Sequence, residues 1–218
     1  MNIRKQLIAE FLGTAGLLIV IVGSGIMGET LSQGNLAIAL LANSLATGAG
    51  LYALIQTFGH ISGAHFNPAV SFVECLWKKL SPQKLLLYSF AQITGALVGV
   101  FITHLMFGQN IIQLSHHDRG DFRYFISEVI ATFGLITVIS FSGKKKVETT
   151  PMAVALYITA AYWCTSSTSF ANPAVTIARS LTDSFSGILW TGVPTFIGAQ
   201  MVGALLAFWL SKLLSSLN

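Results

Sequence analysis

The sequence predicts an all-α integral membrane protein: six transmembrane helices plus two re-entrant half-helices, arranged as an inverted repeat. Three observations carry that expectation. Of the 218 residues, 53% are hydrophobic and only 9% are charged, too few charges to cover a soluble surface. Six apolar runs approach the roughly 20 residues that cross a bilayer as helix. The tripeptide Asn-Pro-Ala occurs twice, as Asn67-Pro68-Ala69 and Asn172-Pro173-Ala174, each time beside an apolar segment and followed by Val.

The first run covers 7–27 and follows Met-Asn-Ile-Arg-Lys. That start also has the shape of a secretory signal, with Gly23-Ser24-Gly25 as its processing site, but the run is long for such a signal and carries Glu10. It therefore reads as an uncleaved anchor. The runs 36–58, 85–107, 122–141, 151–165 and 187–214 complete the set, the fifth being short. In a six-span arrangement Arg4, Lys5, Lys78, Lys79, Lys84, Lys144, Lys145, Lys146 and Lys212 fall on one side, and only Arg119 and Arg123 fall in a loop on the other. Cytoplasmic segments carry the positive excess, so both termini are expected in the cytoplasm of a multi-pass protein of the cell (inner) membrane. The net charge of +4 is then a matter of topology and calls for no nucleic-acid partner.

The halves repeat each other, about 1–110 and 120–218 of a single channel domain. Ala9-Glu10-Phe11-Leu12-Gly13-Thr14 is echoed by Ser127-Glu128-Val129-Ile130-Ala131-Thr132, and Ala91-Gln92 with Gly95-Ala96 by Ala199-Gln200 with Gly203-Ala204. The offsets are 118 for the glutamates (128 minus 10), 105 for the asparagines (172 minus 67) and 108 for the glutamines (200 minus 92). Three spans per copy is an odd number, so the second copy enters the membrane from the face opposite the first.

Each Asn-Pro-Ala reads as a helix start, because Asn is a favoured N-cap and Pro at the first helical position loses nothing by lacking an N–H. From Asn67 to about Trp77 is roughly 15 Å of helix, half the hydrocarbon thickness. Two such half-helices dipping in from opposite faces meet N-terminus to N-terminus at the midplane. There the two positive helix ends oppose a cation, and the Asn amide N–H groups are left to donate into a passage lined for neutral molecules. A single copy would read as a capped interfacial helix; two copies at matched repeat positions do not.

The segment Gly59-His60-Ile61-Ser62-Gly63-Ala64-His65-Phe66-Asn67-Pro68-Ala69-Val70 resembles the first pore loop of the aquaporin superfamily, and the resemblance covers essentially the whole chain. It implies the aquaporin fold, one pore per subunit and a homotetramer in the lipid bilayer, with water and small neutral solutes as partners and no cofactor. It also implies that Glu10, Glu128 and His60 brace the re-entrant loops and that His65 lines the pore. A proton relay through Glu10 and Glu128 is the competing reading of the two intramembrane carboxylates.

Water-selective and glycerol-conducting relatives usually carry Arg after the second Asn-Pro-Ala; here Val175 stands there. Counting from the motif asparagines, as the family pattern suggests, puts Thr47, Ala160, Ser169 and Val175 at the selectivity filter. The count to Ala160 crosses a loop, leaving Tyr162 or Trp163 as residues that intrude instead. Such a filter is wider than a water-only pore. Arg179 lies four residues on, on the same helical face, either restoring positive potential or serving as a salt bridge or interfacial anchor. The arrangement resembles a bacterial branch associated with neutral metalloid hydroxides such as arsenous acid. Glycerol, also triply hydroxylated, stays open, although Thr176 replaces the Asp usual in glycerol facilitators.

Cys75 and Cys164 show no metal-ligand spacing and read as packing residues. His116-His117-Asp118 reads as a solvated loop rather than a metal site. Small residues every fourth position, Ala91, Gly95 and Gly99 mirrored by Ala199, Gly203 and Ala207, predict close helix packing. With no Ser-His-Asp arrangement or phosphate loop in the pattern, a channel is expected rather than an enzyme; a coupled transporter and a closed junction-forming protein are the alternatives.

Overall fold

The computed structural model describes residues 2–142 and 149–216. Eight α-helices are described: α1 (Ile3–Leu31), α2 (Leu36–Ser62), α3 (Pro68–Leu76), α4 (Pro82–Met106), α5 (Phe122–Ser142), α6 (Thr150–Cys164), α7 (Pro173–Arg179) and α8 (Val193–Ser216). α1, α2, α4, α5 and α8 are long and apolar enough to cross a membrane. α6, at 15 residues, is about 22 Å long and completes the six crossing elements. α3 and α7 are the two half-helices. Lys144, Lys145 and Lys146 lie outside the described residues.

Local chemistry sets the boundaries. Asn35 Oδ1 accepts from the backbone N–H groups of Ala37 and Ile38 at the start of α2, and Ser81 Oγ accepts from Lys84 at the start of α4, where Pro82 takes the first helical position. α2 ends at Gly63, whose φ of 91° is the left-handed conformation that a side chain resists. The last apolar run is not helical from 187, as its composition suggests. The chain makes a 3-10 turn at Trp190–Gly192, and α8 begins only at Val193, just before Pro194, a residue suited to a helix's first turn. Ile188 is apolar because it is buried under this loop, with its N–H donated to Arg179 O at 3.2 Å.

The two halves pack alike. α1 lies against α2 and α4, and α5 lies against α6 and α8. A Cβ on Gly95 would sit 2.3 Å from Phe11 O, and one on Gly203 would sit 2.3 Å from Val129 O. Hydrogen thus stands where any side chain would part α4 from α1, or α8 from α5. Large apolar side chains such as Leu31, Leu86, Phe90 and Phe122 cover the outside, as hydrocarbon contact requires. Six crossings return the chain to the side on which it began. An inverted repeat places α3 and α7 in the centre, entering from opposite sides.

Candidate functional site

The site begins where the two half-helices start. Asn67 Oδ1 accepts from Ala69 N at 2.9 Å, and Asn172 Oδ1 accepts from Ala174 N at 3.0 Å and Val175 N at 3.3 Å. Each side-chain amide then crosses to the other loop: Asn67 Nδ2 donates to Ala171 O at 2.7 Å, and Asn172 Nδ2 to Phe66 O at 2.8 Å. The half-helices are therefore tied N-terminus to N-terminus by a reciprocal pair of bonds. An amide carries two N–H groups, so one per Asn is consumed by the tie. The sequence-based expectation of wholly free amides is corrected to that extent.

Both loops leading into the half-helices are held from behind by a buried carboxylate. Glu10 Oε1 accepts from Ser62 Oγ (2.6 Å) and His65 N (3.0 Å), and its Oε2 from Phe66 N (2.7 Å) and Gln92 Nε2 (2.8 Å). Glu128 repeats the pattern with Ser167 Oγ (2.6 Å), Phe170 N (2.9 Å), Ala171 N (2.9 Å) and Gln200 Nε2 (2.6 Å). Each carboxylate thus accepts four hydrogen bonds, the satisfaction that a fully buried charge demands. Backbone strain explains the need: Ala64, Phe66, Ser169 and Ala171 all have φ near +50°, a conformation costly for residues other than Gly. The glutamines extend the brace, Gln92 to Ser71 Oγ at 2.9 Å and Gln200 to Thr176 Oγ1 at 2.8 Å. Sequence comparison of the halves finds the glutamates and glutamines. It misses Ser62 and Ser167, which lie at the 105-residue offset of the motif asparagines.

Around these loops lies a cavity of about 270 Å³. Every fourth residue of α6 lines it, Thr150, Val154, Ile158 and Tyr162, a stripe about 18 Å long. Leu17 and Ile21 of α1, Thr47, Leu51 and Ile55 of α2, and Leu135 and Ile139 of α5 supply further apolar stripes. Asn67, Asn172 and His65 also face it, and the ring Nδ1 of His65 meets Ser71 Oγ at 2.9 Å. The wall is mostly apolar, and its polar groups come both from the loops, with His65, Asn67, Ser169 and Asn172, and from the half-helices, with Glu74 and Arg179.

Thr47, Ser169 and Val175 all line this cavity. Thr47 Oγ1 lies 3.3 Å from the Tyr162 hydroxyl, and Ser169 Oγ is buried without a hydrogen-bond partner. Ala160 does not join them: it is exposed on the outer face of α6. Two residues before or after a lining position turn a helix by about 200°, so Ile158 and Tyr162 face inward and Ala160 faces out. Trp163 turns toward α2, donating to Ser44 Oγ at 3.0 Å. Of the two residues that the sequence left as intruders, Tyr162 is thus the one that faces the cavity from α6 beside Thr47.

His60 is also corrected. It is exposed on the last turn of α2, does not line the cavity and makes no hydrogen bond to the loop among the described residues. Tyr88 does that work instead, its hydroxyl donating to Ser62 O at 3.0 Å. Arg179 is fully buried and lines the cavity in no salt bridge among the described residues, against the expectation of an ion pair or interfacial anchor. Cys75 is half-buried and Cys164 exposed, both as free thiols, so packing describes the first only. His116 pairs with Asp183 rather than Asp118: its N–H and ring Nδ1 meet the Asp183 carboxylate at 3.0 and 2.9 Å. The backbone hydrogen bond above all, then the ring, hold the Asp183 carboxyl below the usual range.

Comparison with known proteins gives concordant matches. The family described as Major intrinsic protein matches residues 1–149. Aquaglyceroporin AqpS of Rhizobium meliloti (strain 1021) is 44% identical over 211 residues, covering 97% of this chain and 90% of its own length. Aquaporin Z of Rhodopseudomonas palustris is 29% identical over 231 residues, covering 98% and 89%. Among solved structures, the aquaglyceroporin from Plasmodium falciparum matches with a TM-score of 0.78 over 99% of this chain and 98% of that one, at 23% identity, a likeness of fold.

Proposed function

The chain belongs to the major intrinsic protein family, and from that premise we propose that it is a passive membrane channel whose pore is the cavity around Asn67 and Asn172. The solutes are water and small uncharged hydroxylated molecules, with arsenous acid as the characteristic one. Val175 is the observation that carries this choice. A buried Val beside Thr47, Tyr162 and Ser169 leaves width where a long cationic side chain would fill it, and three hydroxyl groups remain to meet a solute's oxygens. AqpS is named an aquaglyceroporin, which favours solutes larger than water.

In this reading Thr47, Tyr162, Ser169 and Val175 form the selectivity filter, Tyr162 taking the position first given to Ala160. Asn67 and Asn172 form the central constriction, His65 lines the pore, and Glu10 and Glu128 brace the loops. Glu10 and Glu128 each spend both oxygens on four donors, an arrangement suited to a fixed brace rather than a proton carrier. The protein is one channel domain with both termini on the cytoplasmic face of the inner membrane, assembled as a homotetramer of independent pores. Arsenic uptake into proteoliposomes tests the reading. Uptake that stops at equal inside and outside concentrations, with or without a pH gradient, is the expected result. Accumulation above the outside concentration when a pH gradient is imposed would require a coupled transporter.

A further inference from the structure

Arg179 belongs neither to the filter nor to the braces, and its surroundings are unusual. It is 1% exposed, ends the half-helix α7 and lines the same cavity as Val175, one turn away on the same face. Its Nε donates to Ser186 O, and its guanidinium carbon sits 3.4 Å from the centroid of Phe170. A second cation, Arg119, also approaches this ring, its guanidinium 5.2 Å from the Phe170 centroid and donating to Gly187 O (3.0 Å) and Ser167 O (3.1 Å). The ion pairs among the described residues join Lys79 with Glu74, His116 with Asp183 and Arg123 with Asp121, and none includes either arginine. Arg179 Nη1 is buried with no hydrogen-bond partner.

A guanidinium remains charged under any physiological condition, and burying it without a counter-ion is expensive. An apolar side chain of similar volume would fill the space without that cost. The cation–π contact with Phe170 and the Ser186 carbonyl offset part of it and fix the group's position. Such a charge is a poor anchor but an effective barrier. A cation entering the cavity meets it in surroundings of low dielectric, whereas a neutral solute does not.

We propose that Arg179 is the specificity-determining charge of this pore, excluding sodium ions and protons from one turn beyond the filter while Val175 leaves the filter wide. Width and charge, which one side chain would otherwise set together, are here divided between two residues. This extends the channel reading above and rests on it.

The test uses full-length protein in proteoliposomes, with water flux certifying an open pore and with sodium and proton leak read under a clamped potential. Arg179→Gln is expected to raise water flux, because a large side chain is lost, and to raise cation leak about tenfold or more. Arg179→Lys keeps the charge and stays tight. If Arg179→Gln fails to assemble, Arg179→Met, which keeps an elongated side chain without the charge, is read in the same way. A water-conducting Arg179→Gln or Arg179→Met channel as ion-tight as the wild type overturns the inference. A wild-type protein that passes no neutral solute contradicts the channel reading instead, so the two failures are distinct.

Discussion

Replacing Glu128 with Gln tests whether the buried carboxylates are braces. Its four acceptances, from Ser167 Oγ, Phe170 N, Ala171 N and Gln200 Nε2, span 2.6–2.9 Å and use both oxygens. Gln keeps one oxygen and turns the other into an NH2 group facing two donors. Two lost bonds to a charged acceptor, at about 1.5–3 kcal/mol each, amount to about 3–6 kcal/mol. The strain at Ser169 and Ala171, whose φ values are 51° and 49°, would then have nothing to hold it. For a chain of this size, the thermal midpoint of the purified protein in detergent should fall by at least about 6 °C. Osmotic water flux per folded molecule should fall with it, because Ala171 O is the acceptor for Asn67. A midpoint shift of under about 2 °C with full water flux would refute the brace. If that unshifted variant also lost a pH-driven uptake present in the wild type, a proton-carrying carboxylate would take its place.

Three further substitutions probe the pore and its packing. Val175→Arg should narrow the filter and cut the flux of glycerol or arsenous acid more than that of water in stopped-flow swelling; an equal loss of all three would contradict the filter assignment. Asn172→Asp puts a carboxylate oxygen against Phe66 O, breaking the tie at 2.8 Å, and should raise cation conductance in planar bilayers; unchanged conductance would contradict the midplane barrier. Gly203→Ala drives a Cβ to 2.3 Å from Val129 O and should lower stability by about 1–3 kcal/mol in thermal unfolding, whereas Gly198→Ala, with open space around it, should not.

The spans and half-helices were legible because their signals are physical and local. Pro68 and Pro173 suit a first helical turn, Asn67 and Asn172 cap it, and apolar length marks a crossing. Glu10 and Glu128 stood out because a carboxylate in an apolar run must find donors, and the family resemblance pointed to the re-entrant loops as their source. What stayed hidden depends on helix rotation or tertiary closure. Ala160 and Tyr162 are two residues apart, and only the phase of α6 decides which faces the cavity. His60 sits one turn from the loop, yet α2 turns it outward. Residues 187–189 are as apolar as a span, but they belong to the loop that holds Arg179, through Ser186 O and the Ile188 N–H. No local pattern distinguishes an arginine at a membrane interface from one buried against Phe170 in the cavity wall.

Stopped-flow light scattering on proteoliposomes of the purified wild-type protein tests the central claim most directly, with one sample challenged by an impermeant osmolyte and another by an arsenous acid gradient. A passive pore of this width predicts rapid shrinkage in the first, and shrinkage followed by fast re-swelling in the second, both well above protein-free vesicles. Rapid shrinkage with no re-swelling in arsenous acid would contradict the wide filter drawn from Val175, and vesicles no faster than protein-free controls would contradict the channel itself.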